Sequence, residues 1–150
     1  MEYRYLKSFY ESKVTWKQEV NHLRCSPSFN KQPRYDHVII QTDSGPIFAQ
    51  LKFIFTAVVG QERIPFILVQ AFDIYHDRHY KKKDKELGFI RLRQRSEHEA
   101  EFFFARSIIH GAVIFPAYDE ETDYVVFDIA DTDMFLRTKE IVEATNSSGV

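Results

Sequence analysis

The sequence YDHVIIQTDSGPIFAQLKFIFTAVVGQERIPFILVQAFD (Tyr35–Asp73) carries the strongest local pattern in this 150-residue chain. The runs Val38–Ile40, Ile47–Val59 and Ile64–Phe72 are apolar and rich in β-branched and aromatic residues, and the polar connectors Thr42–Pro46 and Gly60–Arg63 separate them. Strand-length runs bounded by Gly, Pro, Asp and Ser predict an antiparallel meander, because those residues supply turn geometry. Side chains alternate along a strand, so Phe48, Gln50, Lys52, Ile54 and Thr56 share one face, and Ala49, Leu51, Phe53, Phe55 and Ala57 the other. The second set is more uniformly apolar, which predicts a curled sheet with Leu51, Phe53 and Phe55 turned inward. Nothing in the meander has the character of a catalytic residue, so function has to be sought on the surface around it.

Totals set the outer bounds. A chain of this length suits one domain with a core of its own. With 14 Phe and 8 Tyr the core is aromatic-heavy, and part of that supply is free to line a groove. A formal net charge of −2 and a pI near 6.3 argue against gripping nucleic acid by bulk charge. A single cysteine forms no disulfide within the chain and points to a reducing compartment. The N-terminus lacks the apolar segment of a signal peptide, and no run is long enough to span a bilayer, so a nuclear or otherwise intracellular, non-secreted protein is expected.

Charge is segregated along the chain. Residues 1–35 carry seven basic side chains, and residues 78–95 carry Arg78, Lys81, Lys82, Lys83, Lys85, Arg91, Arg93 and Arg95 against Asp84 and Glu86. Residues 117–133 hold Asp119, Glu120, Glu121, Asp123, Asp128, Asp131 and Asp133 with no basic residue. Such a dipolar molecule can steer a partner or dock against its own kind.

On the N-terminal side, Thr15 and Gln18 fit a capping box. Trp16, Val20 and Leu23 follow at helical spacing, predicting a short helix over about 16–24 with Trp16 packed on the domain. Cys25–Pro33, with two prolines, reads as a loop. On the C-terminal side, Ile74–Lys85 reads as a polar, mobile loop, Leu87–Arg93 as a strand and Gln94–Glu101 as a connector. Phe102–Phe104 reads as a strand, Ser107–Ile109 as a turn, His110–Phe115 as a strand, Pro116–Asp123 as an acidic loop and Tyr124–Ile129 as the last strand. Thr132–Glu143 has helical spacing, with Asp131 as its cap, Asp133 in its first turn and a frayed tail from Thr145.

Several of these landmarks, in order, resemble bromo-adjacent homology (BAH) domains. Asp36-x-Val38 and Phe48-Ala49-Gln50-Leu51-x-x-Ile54-Phe55 are similar to the opening strands of that family, and Val69–Phe72 to its strand ending in Trp-Phe. Glu86–Phe89 resembles its Glu-Leu-Phe element, and the segment from Glu101 through Ser107-Ile108-Ile109-x-Gly111 to Val113 its closing I-x-G-x-x-V element. The segment from Arg106 also resembles uncharacterised and transposon-encoded proteins of basidiomycete fungi. The BAH resemblance covers residues 35–128 and implies a recognition module. It departs at Ala71 and Phe55, where methyl-lysine readers of the family carry tryptophans. Phe55, Phe72, Tyr75 and Tyr80, with Asp73 or Asp77, supply parts of an aromatic cage, and a general protein-binding role is the stronger implication.

Other chemistry has thinner support. His22-x-x-Cys25 and His76-x-x-His79 have zinc-like spacing, but the pairs are far apart and include one cysteine, so no metal or other cofactor is expected. Asp128 would alternate out of a strand, and Asp131 and Asp133 are better explained by a helix start than by a metal centre. Cys25 and Ser107 lack a nucleophile's setting, and no glycine-rich phosphate loop occurs, so no enzyme is expected.

The sequence therefore predicts a mostly-β fold: a partly open, curled antiparallel barrel of about seven strands, with a short N-terminal helix and a C-terminal helix. Residues 1–34 form an N-terminal extension, 35–129 the BAH-like domain, and 130–150 the terminal helix and tail. The expected role is non-catalytic recognition of a protein or histone-tail partner in a chromatin- or transposon-associated setting, with Phe72, Asp73, Tyr75 and Tyr80 as contacts. An accessory DNA-binding domain using Lys81, Lys82, Lys83, Lys85, Arg91 and Arg93 is one alternative. A homo-oligomeric scaffold, in which the acidic region meets a neighbour's basic loop, is another.

Overall fold

The computed structural model describes residues 1–75 and 82–148. The predicted meander forms. β5 (His37–Thr42), β6 (Gly45–Val59) and β7 (Glu62–Ile74) pair antiparallel, with His37 opposite Gln50 and Phe55 opposite Phe66. The β6–β7 hairpin turns at Gly60-Gln61, where only the first central residue has positive φ (66°), a position that glycine occupies without Cβ strain.

Around the meander run β1 (Glu2–Tyr3), β8 (Ile90–Gln94), β9 (Glu101–Phe104), β10 (Ile108–Ala112), β11 (Ile114–Pro116) and β12 (Asp123–Val126). All join one antiparallel sheet in the order β10-β5-β6-β7-β8-β12-β11, with β1 added to β6 and β9 to β7. Its terminal strands, β10 and β11, are separated in the chain by Val113 alone. A second sheet consists of β2 (Tyr5–Glu11), β3 (Gln18–Phe29) and β4 (Gln32–Tyr35). The helices are α1 (Lys82–Leu87) and α2 (Thr132–Ser148). Among the described residues, no helix is long and apolar enough to cross a membrane.

Both faces of the large sheet carry core. On the inner face Val38, Ile40, Ala49, Leu51, Ile54, Ile67 and Val69 pack with Leu23 and Cys25 of β3. On the outer face Ile39, Phe48 and Phe72 pack under Met134 and Ile141 of α2, with Leu92, Ile114 and Val126 from β8, β11 and β12. The cap on α2 is as predicted, the Met134 amide donating to Asp131 Oδ1 at 2.7 Å.

Several expectations are corrected. The N-terminal helix does not form: residues 2–35 are largely strand, and Tyr5–Glu11 pairs with Gln18–Arg24 across a turn at Ser12–Lys17. The helical spacing of Trp16, Val20 and Leu23 was coincidental, since Val20 and Leu23 point to opposite faces of β3. Trp16 stands at the turn with φ 58° and 73% exposure rather than packing on the domain. The turn docks on α2 through Ser12 Oγ and the Lys13 amide, which donate to Asp133 at 2.5 and 2.9 Å. The Cys25–Pro33 loop is instead the end of β3 and the start of β4. Residues 82–85 of the expected loop are helical, and the helix continues to Leu87, so that the strand expected from Leu87 starts at Ile90. α2 runs past the expected fraying point to Ser148, and the expected strand 110–115 is two strands broken at Val113.

The most consequential correction lies in β6. Leu51 pairs with Val69 and Phe53 with Leu68, so Lys52 is an extra residue, a β-bulge. An extra residue reverses which side the following side chains take. Ile54 therefore enters the core, while Phe53 and Phe55, expected inside, turn to the outer face.

Candidate functional site

The outward turn of β6 assembles an aromatic surface. Register brings Phe55, Phe66 and Phe104 into one row across β6, β7 and β9, and Phe53, Leu68 and Phe102 into the next. The rings touch: Phe55 lies 5.6 Å from Phe66 (stacked) and 5.6 Å from Phe102 (edge-on), and Phe66 lies 5.1 Å from Phe104. Such cross-strand aromatic contacts hold the rings in a defined array. The array remains open to solvent, Phe102 being 64% exposed, Phe104 38% and Phe53 36%. Arg106 covers one rim, its guanidinium carbon 4.4 Å from the Phe104 ring centre. Glu2, paired with Phe55 through β1, lies at the opposite rim.

A polar belt separates this surface from the core under α2. Gln94 Nε2 donates to Gln50 Oε1 at 2.9 Å, and Gln70 Nε2 donates to the Arg95 carbonyl at 2.6 Å. These bonds satisfy the buried amide of Gln70 and end the apolar interior there.

The contacts implied by the resemblance are dispersed. Phe72 is 3% exposed and sits in the outer core against His37 and Tyr124. Asp73 pairs with Arg95 at 2.8 Å. Tyr75 donates its hydroxyl to Asp123 at 2.6 Å; burial, then that hydrogen bond, raise its pKa. Tyr80, with Asp77, lies outside the described residues, as do Lys81, His76 and His79.

The basic candidates also divide. Lys82, Lys83, Lys85 and Arg93 are exposed on the surface. Arg91 is 1% exposed, and its guanidinium donates to Asp84 (2.7 Å), Asp119 (2.9 Å) and Asp123 (3.1 Å). The bond to Asp84 above all raises its pKa further, so it remains a cation inside the fold. A phosphate cannot displace three internal carboxylates, so Arg91 leaves the list of nucleic-acid contacts. Arg91 fastens α1, the acidic loop and β12 together, and Lys83 Nζ lies 5.0 Å from the Tyr118 ring centre. The basic and acidic stretches thus meet within one molecule, which removes carboxylates from the acidic face that the charge-driven scaffold requires. Asp133 is likewise engaged with Ser12 and Lys13.

A polar cleft of about 330 Å³ opens between β3, β5 and β10, lined by Asn21, Arg34, Asp36, His37, His110 and Gly111 among others. Burial pushes His37 down to about 4, so it is neutral at physiological pH. Among the described residues, the histidine rings hydrogen-bond Tyr5 (His22) and the Gly111 carbonyl (His110), and none holds a serine or cysteine. Cys25 is buried, which raises its thiol to about 11, away from nucleophilic use. Among the described residues, no group of three or more His, Cys, Asp or Glu side chains converges as a metal site.

Sequence reasoning did not find the phenylalanine face. The available signal was the surplus of Phe over what one core needs. No family model, curated protein or solved structure matches the chain.

Proposed function

We propose that the chain is a non-catalytic interaction module that binds a protein through the phenylalanine face. The exposure of Phe53, Phe102 and Phe104 on a pre-formed, ring-stacked sheet surface carries this reading. A contiguous apolar surface rimmed by polar groups marks a docking site, because leaving it in water costs free energy that a partner recovers. The resemblance to BAH domains supports the same class of function. It also supports a sheet curled into a partly open barrel, in keeping with terminal strands β10 and β11 one residue apart in the chain. The nuclear, chromatin- or transposon-associated setting, with a histone tail among the protein partners, rests on that resemblance. The DNA-binding alternative keeps Lys82, Lys83, Lys85 and Arg93, all exposed, and requires affinity that falls steeply with salt.

The test is site-specific photocross-linking in cells, with benzoylphenylalanine at Phe102 and, as control, at the still more exposed Tyr118. Discrete protein adducts at 102 and not at 118 are expected. Nucleic-acid adducts, or the same products from both positions, would overturn the proposal.

A further inference from the structure

The phenylalanine face is self-complementary in charge as well as apolar. Its central row runs Glu2–Phe55–Phe66–Phe104 across β1, β6, β7 and β9, and Arg106 covers the Phe104 end. By register, the residue at one end of the row is therefore the acidic Glu2, and the other end carries the Arg106 guanidinium. Among the described residues, neither Glu2 nor Arg106 makes an ion pair within the chain. We propose that a second copy of this chain occupies the face. The two sheets pack face to face about a two-fold axis that lies between them, parallel to the strands.

That axis exchanges the two ends of the row. Glu2 of each copy comes opposite Arg106 of the other, while the rings of the two faces interleave at the centre. An isologous contact of this kind requires each patch to be its own complement, and opposite charges at opposite rims meet that requirement. Aligned packing of two sheets is also the ordinary geometry for apolar sheet faces. Strand spacing sets the size. Four strands and about five residues along each give a patch on the order of 300–400 Å² in projection. With its rim, that reaches the lower end of specific interfaces, so the dimer is concentration-dependent rather than obligate.

Single-stranded nucleic acid also stacks on sheet aromatics, but it needs a basic groove along its backbone. Here Glu2, at the β1 rim, and Glu62, opposite Val59 at the hairpin tip, flank the rings together with Arg106. The mixed rim favours a partner that carries both signs.

The proposal rests on the interaction-module reading and narrows it. Sedimentation velocity on the full chain, from ~1 to ~200 μM, is the test, since a small interface binds in the micromolar range. The wild type is expected to pass from monomer to dimer over that range. Phe102→Asp should be monomeric throughout with an unchanged circular dichroism spectrum. Glu2→Arg and Arg106→Glu should each weaken the dimer several-fold, and the double exchange should restore it. A monomeric wild type at the highest concentration, a dimer indifferent to Phe102→Asp, or a double exchange no better than the single ones would overturn the second-copy assignment. If the wild type is monomeric while the cross-linker at 102 still captures a different protein, the module reading stands and only self-association falls. If neither occurs, both fall.

Discussion

Phe48 and Phe55 lie on the same face of the same strand, yet one is core and the other is surface. Phe48 is 1% exposed because α2 lies across its end of the sheet, bringing Met134 and Ile141 onto it. Beyond the glutamine belt no helix among the described residues follows, and the phenylalanine rings are covered mainly by one another. The difference shows that an apolar sheet face does not by itself define an interior. A second element must close it, and where none of the described elements does so, the same chemistry stays open to solvent.

The comparison breaks most visibly if the two ends are truncated in parallel. Phe48→Ala should lower unfolding stability by about 3–5 kcal/mol through lost burial and a residual cavity. Phe102→Ala should change it by less than about 1 kcal/mol, as at an exposed site. Urea denaturation of the monomer reads both, and equal losses would mean that the phenylalanine end is core after all.

A pH series sharpens the covered end. His37, between Phe72 and Tyr124, is pushed down to about 4, mainly by burial, with Lys52 adding to the effect and Asp36 opposing it. The unfolded chain takes up a proton near 6.5, whereas the folded chain resists until about 4. His37 therefore leaves stability intact above pH 6.5 and erodes it as the pH falls from there toward 4. The loss is on the order of 3 kcal/mol. His37→Phe should flatten the stability profile between pH 6.5 and 4.5, and a wild-type profile already flat there would contradict the assignment.

The smallest expected effect concerns the cover itself. Asp131→Ala removes the cap on α2 and should cost about 1 kcal/mol, with helix α2 exchanging amide hydrogens faster than β6 or β7. A uniform acceleration across the molecule would instead mean that the helix and sheet open as one unit.

How much of this was legible depended on the range of the interactions. The meander and α2 were readable because their signals are local: turn residues at Ser44-Gly45 and Gly60, a cap at Asp131, apolar residues at fixed spacing. The β2–β3 hairpin was misread because Val20 and Leu23 suit a helix on spacing alone, whereas the strand is stabilised by partners such as Leu6. Arg91 looked like one more basic residue in a basic stretch. Its role is set by nearby Asp84 together with Asp119 and Asp123, which are remote in sequence, and nothing near Arg91 announces the remote pair. The candidate site was hidden for a similar reason. Phe53 and Phe55 read correctly as apolar, but their direction depends on an extra residue, and Lys52 carries no glycine or proline signature of a bulge.

That bulge also governs which changes in chain length the strand tolerates. Hydrophobicity along β6 has a phase, and Lys52 is where the phase jumps: odd positions face the inner core up to Leu51, even positions from Ile54. Removing Lys52 alone would leave a regular strand with every other side chain on its present side. Removing one residue elsewhere in the strand would put a block of side chains out of step with β7. Among single-residue deletions in β6, the one at the bulge is therefore the mildest. In that sense the strand carries a spare position, and the sticky face and the interior are encoded by the same count of residues.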